Sequence, residues 1–248
     1  MKNNFILENE TLLRVNNSTL FYPCSGNDLS VPIKIFSPFV KDFWFVDRGY
    51  FSPGHQDTRG YGYDVSADKQ IPVLNKDKKY NLIETKTTGP VSWHAYNHEI
   101  EPCVLTETYE HLPTKNKIRI HRRRGYGFSA FRNEIDSIGV FFYRGDSQGE
   151  GGSGNLWLAS EHINEVCDKL IDGGLIVTDG CQHGHTTEHR ELWKYHRCNC
   201  QIKPEEIIKS MEPFTDKSGR RFTCVGYAGQ RYEPTLVWQV YNVKKLST

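Results

Sequence analysis

Three stretches of this chain hold residue types that do chemistry. The first runs from Tyr22-Pro23-Cys24-Ser25-Gly26-Asn27-Asp28 to Asp47. A turn of small residues lets a ligand approach the backbone, and an acid at the tip of the next strand accepts hydrogen bonds from ribose hydroxyls. Pro23, Ser25, Gly26, Asp28 and Asp47 are therefore candidate binding residues for a nucleoside-type ligand. The same residues also suit an ordinary strand-to-helix turn followed by a solvated acid.

The second stretch is the glycine-dense loop Arg144 to Gly154. Ligands of open α/β sheets bind at the carboxyl ends of strands, and successive free N–H groups can cradle a phosphate or carboxylate. Asp146 is the first candidate for a general base and Glu150 the second, while Arg144 can hold an anion. No Gly-Lys-Ser/Thr follows, so this is not a Walker loop.

The third stretch, residues 181–200, collects Cys181, His183, His185, His189, His196, Cys198 and Cys200. Cys and His are the usual zinc ligands. Their spacing here matches no standard finger and includes no Cys-x-x-Cys pair, so a polar lid explains them as well and no metal is assigned. A basic run, Arg119-Ile-His-Arg-Arg-Arg124, has Tyr126 and Phe128 beside it for base stacking. On a strand alternate residues face opposite ways, so the run reads first as the basic face of a half-exposed hairpin. Nucleic acid is accordingly not the expected partner.

These residues need elements to position them. Thr19 to Tyr22 and Phe43 to Val46 read as strands, joined by a short helix that Ser30 can cap and Pro32 can open. Residues 49–71 follow no clear period and read as an irregular excursion. Val104 to Tyr109 and Lys117 to Arg122 alternate as a hairpin, placing an inserted hairpin at 103–123. Ile138 to Tyr143 is apolar throughout, as a strand buried on both faces should be. Leu156 to Ile171 carries a helical stripe closed by Asp172-Gly173, and Leu175 to Thr178 is the next buried strand. Lys203 to Met211 reads as a helix. Arg221 to Ala228 and Leu236 to Val243 read as a closing antiparallel pair.

Composition sets the outer bounds. The 248 residues suffice for one full α/β domain, and no linker-like tract divides them, so a single domain over 1–248 is expected. A net charge of +1 gives no global pull toward nucleic acid or membrane. No run is apolar enough to span a bilayer, and the first ten residues lack the apolar core of a signal peptide, so a cytoplasmic location without membrane contact is expected. Seven cysteines, an odd number, suit free thiols or ligands better than a disulfide framework.

The order of elements resembles the class I S-adenosylmethionine-dependent methyltransferases. Tyr22 to Asp28 resembles that family's first motif and Asp47 its ribose acid. Ile138 to Tyr143 resembles its fourth strand, and Leu170-Ile-Asp-Gly-Gly-Leu-Ile-Val177 the entry to its fifth. Tyr227 to Tyr241 resembles its closing hairpin. The chain departs from the family at Tyr22-Pro23, where an acid is usual, and at Arg144 to Ser147, where amino methyltransferases carry an Asn/Asp-Pro-Pro-aromatic signature. The resemblance implies a mainly parallel Rossmann-like sheet with a C-terminal antiparallel hairpin, and S-adenosylmethionine as cofactor of a transferase whose acceptor is unknown. The alternative is a catalytically degenerate relative that binds a nucleotide or a protein.

Overall fold

The computed structural model describes residues 5–51, 66–91, 101–146, 156–180, 187–195, 202–230 and 233–242. In chain order the elements are β1 (Ile6–Leu7), α1 (Asn9–Arg14), β2 (Thr19–Pro23), α2 (Ser30–Phe36), β3 (Asp42–Asp47), β4 (Tyr80–Thr88), β5 (Cys103–His111), β6 (Lys117–Arg124), α3 (Gly127–Glu134), β7 (Ile138–Tyr143), α4 (Ser160–Lys169), β8 (Leu170–Thr178), α5 (Pro204–Lys209), β9 (Phe214–Thr215), β10 (Arg220–Gln230) and β11 (Pro234–Asn242). Short 3-10 turns lie at Ala67–Lys69 and Thr187–Trp193. The chain divides into two compact units: a continuous one, Thr19–Asp136, and a discontinuous one, Met1–Ser18 with Ser137–Thr248.

In the continuous unit β2 and β3 run parallel, and β3 runs parallel to β6. From β6 outward the pairing becomes antiparallel, first to β5 and then to β4. Phe21, Phe43, Phe45, Ile118 and Ile120 are buried, and Phe131 of α3 packs on Phe21 with ring centroids 4.9 Å apart. Helix α2 begins at Ser30, but Leu29 occupies the N-cap position and no side chain caps it. It stops at Phe36, and Ser37 (φ −60°, ψ −23°) forms the C-cap, its N–H donating to the Ile33 carbonyl at 2.9 Å.

In the discontinuous unit β7 and β8 are parallel. β8 then pairs antiparallel with β11, β11 with β10, and β10 with both β1 and β9. Helix α4 connects β7 to β8 and buries Ile163 and Val166, one helical turn apart on one face. It ends at Lys169, and β8 begins at once with Leu170. The expected glycine cap at Gly173 is therefore corrected. Gly173 sits in the strand at φ 75°, where the register against β7 jumps from Ile138↔Leu170 to Val140↔Leu175. The "Asp-Gly-Gly" signature marks a bulge, and a glycine in αL geometry serves a bulge as readily as a helix end.

The fold is mixed α/β, but the expectation of a mainly parallel sheet is corrected. Within the two units, the described residues form three parallel and six antiparallel strand pairings. The two strand–helix–strand units, β2-α2-β3 and β7-α4-β8, are parallel as their crossover helices require. Short connections, such as Leu112–Asn116 between β5 and β6, permit only antiparallel neighbours. β10 and β11 form the expected closing hairpin. No described helix is long and apolar enough to cross a membrane.

Candidate functional site

The parallel register Thr19↔Asp42 through Pro23↔Val46 makes β2 and β3 end together. The Ser25 turn and Asp47 therefore leave the sheet side by side at its carboxyl edge. Asp47 binds the turn directly: Oδ2 accepts the Gly26 N–H at 3.0 Å and Oδ1 the Gly49 N–H at 2.8 Å. Ser25 N–H donates to the Val46 carbonyl at 3.1 Å, and Tyr22 Oη donates to Asp28 Oδ2 at 3.0 Å. Within this turn Cys24 has φ 54° and Gly26 φ 52°. For Cys24 left-handed geometry costs about 1–2 kcal/mol, and strain of this kind concentrates where ligands bind. Pro23, Ser25, Gly26, Asp28 and Asp47 thus lie in one constellation.

Sequence reasoning missed Tyr50. Its hydroxyl donates to the Gly26 carbonyl at 2.6 Å and lies 2.8 Å from Ser25 Oγ. Tyr50 is buried, and burial together with the nearby Asp47 charge drives its phenol far above the ordinary range. It stays a protonated donor and ties the turn down from within. The long irregular stretch after Gly49 gave no signal that its second residue folds back under the turn.

In the discontinuous unit Asp146 is buried and accepts a hydrogen bond from Tyr143 Oη at 2.9 Å. Arg144 is also buried. Its Nη1 donates to Thr235 Oγ1 at 3.4 Å, and its guanidinium lies 5.4 Å from the Phe142 ring. A third buried residue joins them: Asp179, just beyond β8, accepts the Gly145 N–H on Oδ2 at 2.9 Å. Since Tyr143 pairs with Thr178, the two aspartates close the ends of adjacent parallel strands. Asp179 was legible in principle, because Leu175 to Thr178 ends in an acid just as Phe43 to Val46 ends in Asp47. Glu150, with Ser147 and Ser153 of the same loop, lies outside the described residues.

The basic run does not form a half-exposed face. Arg122, Arg123 and Arg124 are all buried, because β6 is flanked by β3 and β5 and covered on both faces. Arg122 donates to Glu107 Oε1 at 2.7 Å and to Gln70 Oε1 at 2.8 Å. Arg123 donates to Glu134 Oε1 at 2.6 Å. Arg124 donates to three backbone carbonyls: Glu101 at 2.9 Å, Pro90 at 2.9 Å and Phe51 at 3.3 Å. Only Arg119 is substantially exposed, and it pairs with Asp42. Phosphate-binding arginines must present their forks to solvent.

Of the seven Cys and His candidates in 181–200, only His189 belongs to the described residues, and it is buried. Trp93, His94, Tyr96 and His98, whose aromatic and imidazole side chains suit a pocket lining and a packed loop equally well, also fall outside them.

No protein-family model matches the chain, and no curated protein matches it. Among solved structures it is similar to a precorrin-6y C5,15-methyltransferase from Geobacter metallireducens, at 12% identity and a TM-score of 0.36. The alignment covers 94% of this chain and 86% of that one.

Proposed function

We propose that the continuous unit binds a nucleoside-type ligand at the Ser25 turn, and that the protein is a transferase with S-adenosylmethionine as its cofactor. The observation that supports this is the Gly26 N–H to Asp47 Oδ2 contact of 3.0 Å. It joins a small-residue turn to an acid at the carboxyl ends of two adjacent parallel strands, where open α/β sheets bind their ligands. Ser25, Gly26, Asp28 and Asp47 would hold the nucleoside. When bound, S-adenosylmethionine supplies an electrophilic methyl group. Within the discontinuous unit, Asp146 is proposed as a general base, and Asp179 keeps the backbone beside it in place through Gly145.

The test is calorimetric titration of the protein with S-adenosylmethionine and S-adenosylhomocysteine. Saturable binding is expected, weakened at least tenfold by Asp47→Asn with the circular dichroism spectrum unchanged. Absence of binding at millimolar ligand overturns the proposal. Asp146→Asn should leave cofactor affinity unchanged while lowering turnover once an acceptor is found.

A second reading rests on Tyr50. Its hydroxyl occupies Ser25 Oγ and the Gly26 carbonyl, two groups that a ligand would otherwise meet. On that reading the turn is a closed structural element and the protein a non-catalytic binding module. Tyr50→Phe separates the two readings. Nucleoside affinity rises or holds if the turn is a ligand site, and only the melting temperature changes if it is not.

A further inference from the structure

We infer that Glu188, His189 and Asp216 form a binding site for a divalent transition-metal ion of the zinc class, with one imidazole and two carboxylates as protein ligands. Glu188 and His189 lie in the 3-10 turn Thr187–Trp193, and Asp216 follows β9. The chain kinks at His189 (φ −108°, ψ 23°), and this departure from helical geometry lets two successive side chains reach toward the same point. One potential ligand atom from each residue lies within 4.8 Å of the other two.

His189 supplies the decisive observation. It is only 5% exposed, yet among the described residues neither buried ring nitrogen has a hydrogen-bond partner. A buried polar atom left in this state costs about 1–3 kcal/mol and calls for an explanation. Phe214 and Phe222 stand edge-on to the ring at 5.9 and 5.5 Å and offer it nothing polar. Asp216 Oδ2 lies 3.6 Å from Nε2. That is too long for a hydrogen bond, but two ligands of one tetrahedral ion at about 2.1 Å stand about 3.4 Å apart.

The surroundings support the carboxylates as ligands. Asp216 Oδ1 accepts the Arg220 N–H at 2.8 Å, and Oδ2 accepts Arg220 Nε at 2.6 Å. Arg220 in turn donates to Asn164 and lies 3.9 Å from Asp168. Outer partners of this kind orient a metal-binding carboxylate. Glu188 is held by the Lys217 N–H, and the Lys217 ammonium, 3.9 Å away, is almost fully in water and is a weak competitor.

The test is titration of the chelator-treated full chain with Co²⁺, read by visible absorption, followed by displacement with Zn²⁺. One saturable equivalent is expected, with ligand-field bands of a nitrogen–oxygen site and no thiolate-to-cobalt charge transfer. Zn²⁺ should raise the melting temperature. Glu188→Gln should weaken Co²⁺ binding at least tenfold, and His189→Gln should remove it. Should His189→Gln fail to fold, Glu188→Gln decides, since that side chain is partly solvent-exposed. No saturable binding, a thiolate charge-transfer band as the sole signal, or unchanged affinity in Glu188→Gln each overturns the inference.

Discussion

Arg124→Met tests whether the basic run is internal scaffolding. Arg124 is fully buried, and burial lowers its pKa from the ordinary arginine value. Among the described residues its guanidinium has no carboxylate hydrogen-bond partner. It binds the carbonyls of Glu101, Pro90 and Phe51, so one side chain pins three separate segments of chain to β6. Methionine fills similar volume but leaves three carbonyls without a donor. Hydrogen bonds to a charged group contribute about 1.5–3 kcal/mol each but do not add fully. Breaking a buried charged cluster from one side costs about 3–5 kcal/mol. For a chain of this size that lowers Tm by roughly 10 °C. Urea denaturation should show the midpoint fall at constant slope. Arg124→Lys should rescue little, because an ammonium cannot span three diverging carbonyls. Arg119→Ala is the internal control: it removes a half-exposed member of the same run and should cost about 0.5 kcal/mol. A loss below about 1 kcal/mol for Arg124→Met, or equal losses for the two variants, would refute the reasoning.

Three further outcomes are expected. Burial would raise the Asp42 pKa, but hydrogen bonds from His121 and Arg119 outweigh it and hold the carboxyl below its ordinary value. Its stabilising contribution is therefore present above the unfolded carboxyl range and is lost as pH falls through the lower folded value; in acid titrations of stability Asp42→Asn should flatten that loss. The Cys167 thiol is pushed up to about 12 by burial, so alkylation with mass-spectrometric mapping at pH 8 should leave it unmodified until denaturant is added. Gly226→Ala would place a Cβ 2.4 Å from the Ile6 carbonyl oxygen, a backbone atom that moves only if β1 moves; the melting temperature should drop, and β1 amides should lose hydrogen-exchange protection.

Local signals carried well where one residue type permits one backbone. The runs Phe43 to Val46 and Ile138 to Tyr143 are strands as their apolar content requires, and the Ser25 turn meets Asp47 because parallel strands of similar length end together. What failed was long-range. Gly173 has the same φ whether it caps a helix or forms a bulge, and only the pairing of β7 with β8 decides. Arg122 to Arg124 read as surface because arginine usually is. Burying three in succession needs Glu107, Gln70, Glu134 and several carbonyls from elsewhere in the chain, and no spacing rule announces them. Tyr50 and Asp179 were missed for the same reason, since each acts on a turn remote in sequence.

The interrupted path of the discontinuous unit bears on the order in which the chain can be built. β1 pairs with β10 through Ile6↔Tyr227, a closure of roughly 220 residues, whereas the β2–β3, β3–β6, β6–β5 and β5–β4 pairings all lie between Thr19 and Asp136. During synthesis those pairings can form as soon as the middle segment emerges, while β1 must wait until β10 has left the ribosome. Closing so long a loop adds little entropic cost over a shorter one, since the penalty grows only with the logarithm of length. The delay is thus one of timing: β1 should be the last strand to dock.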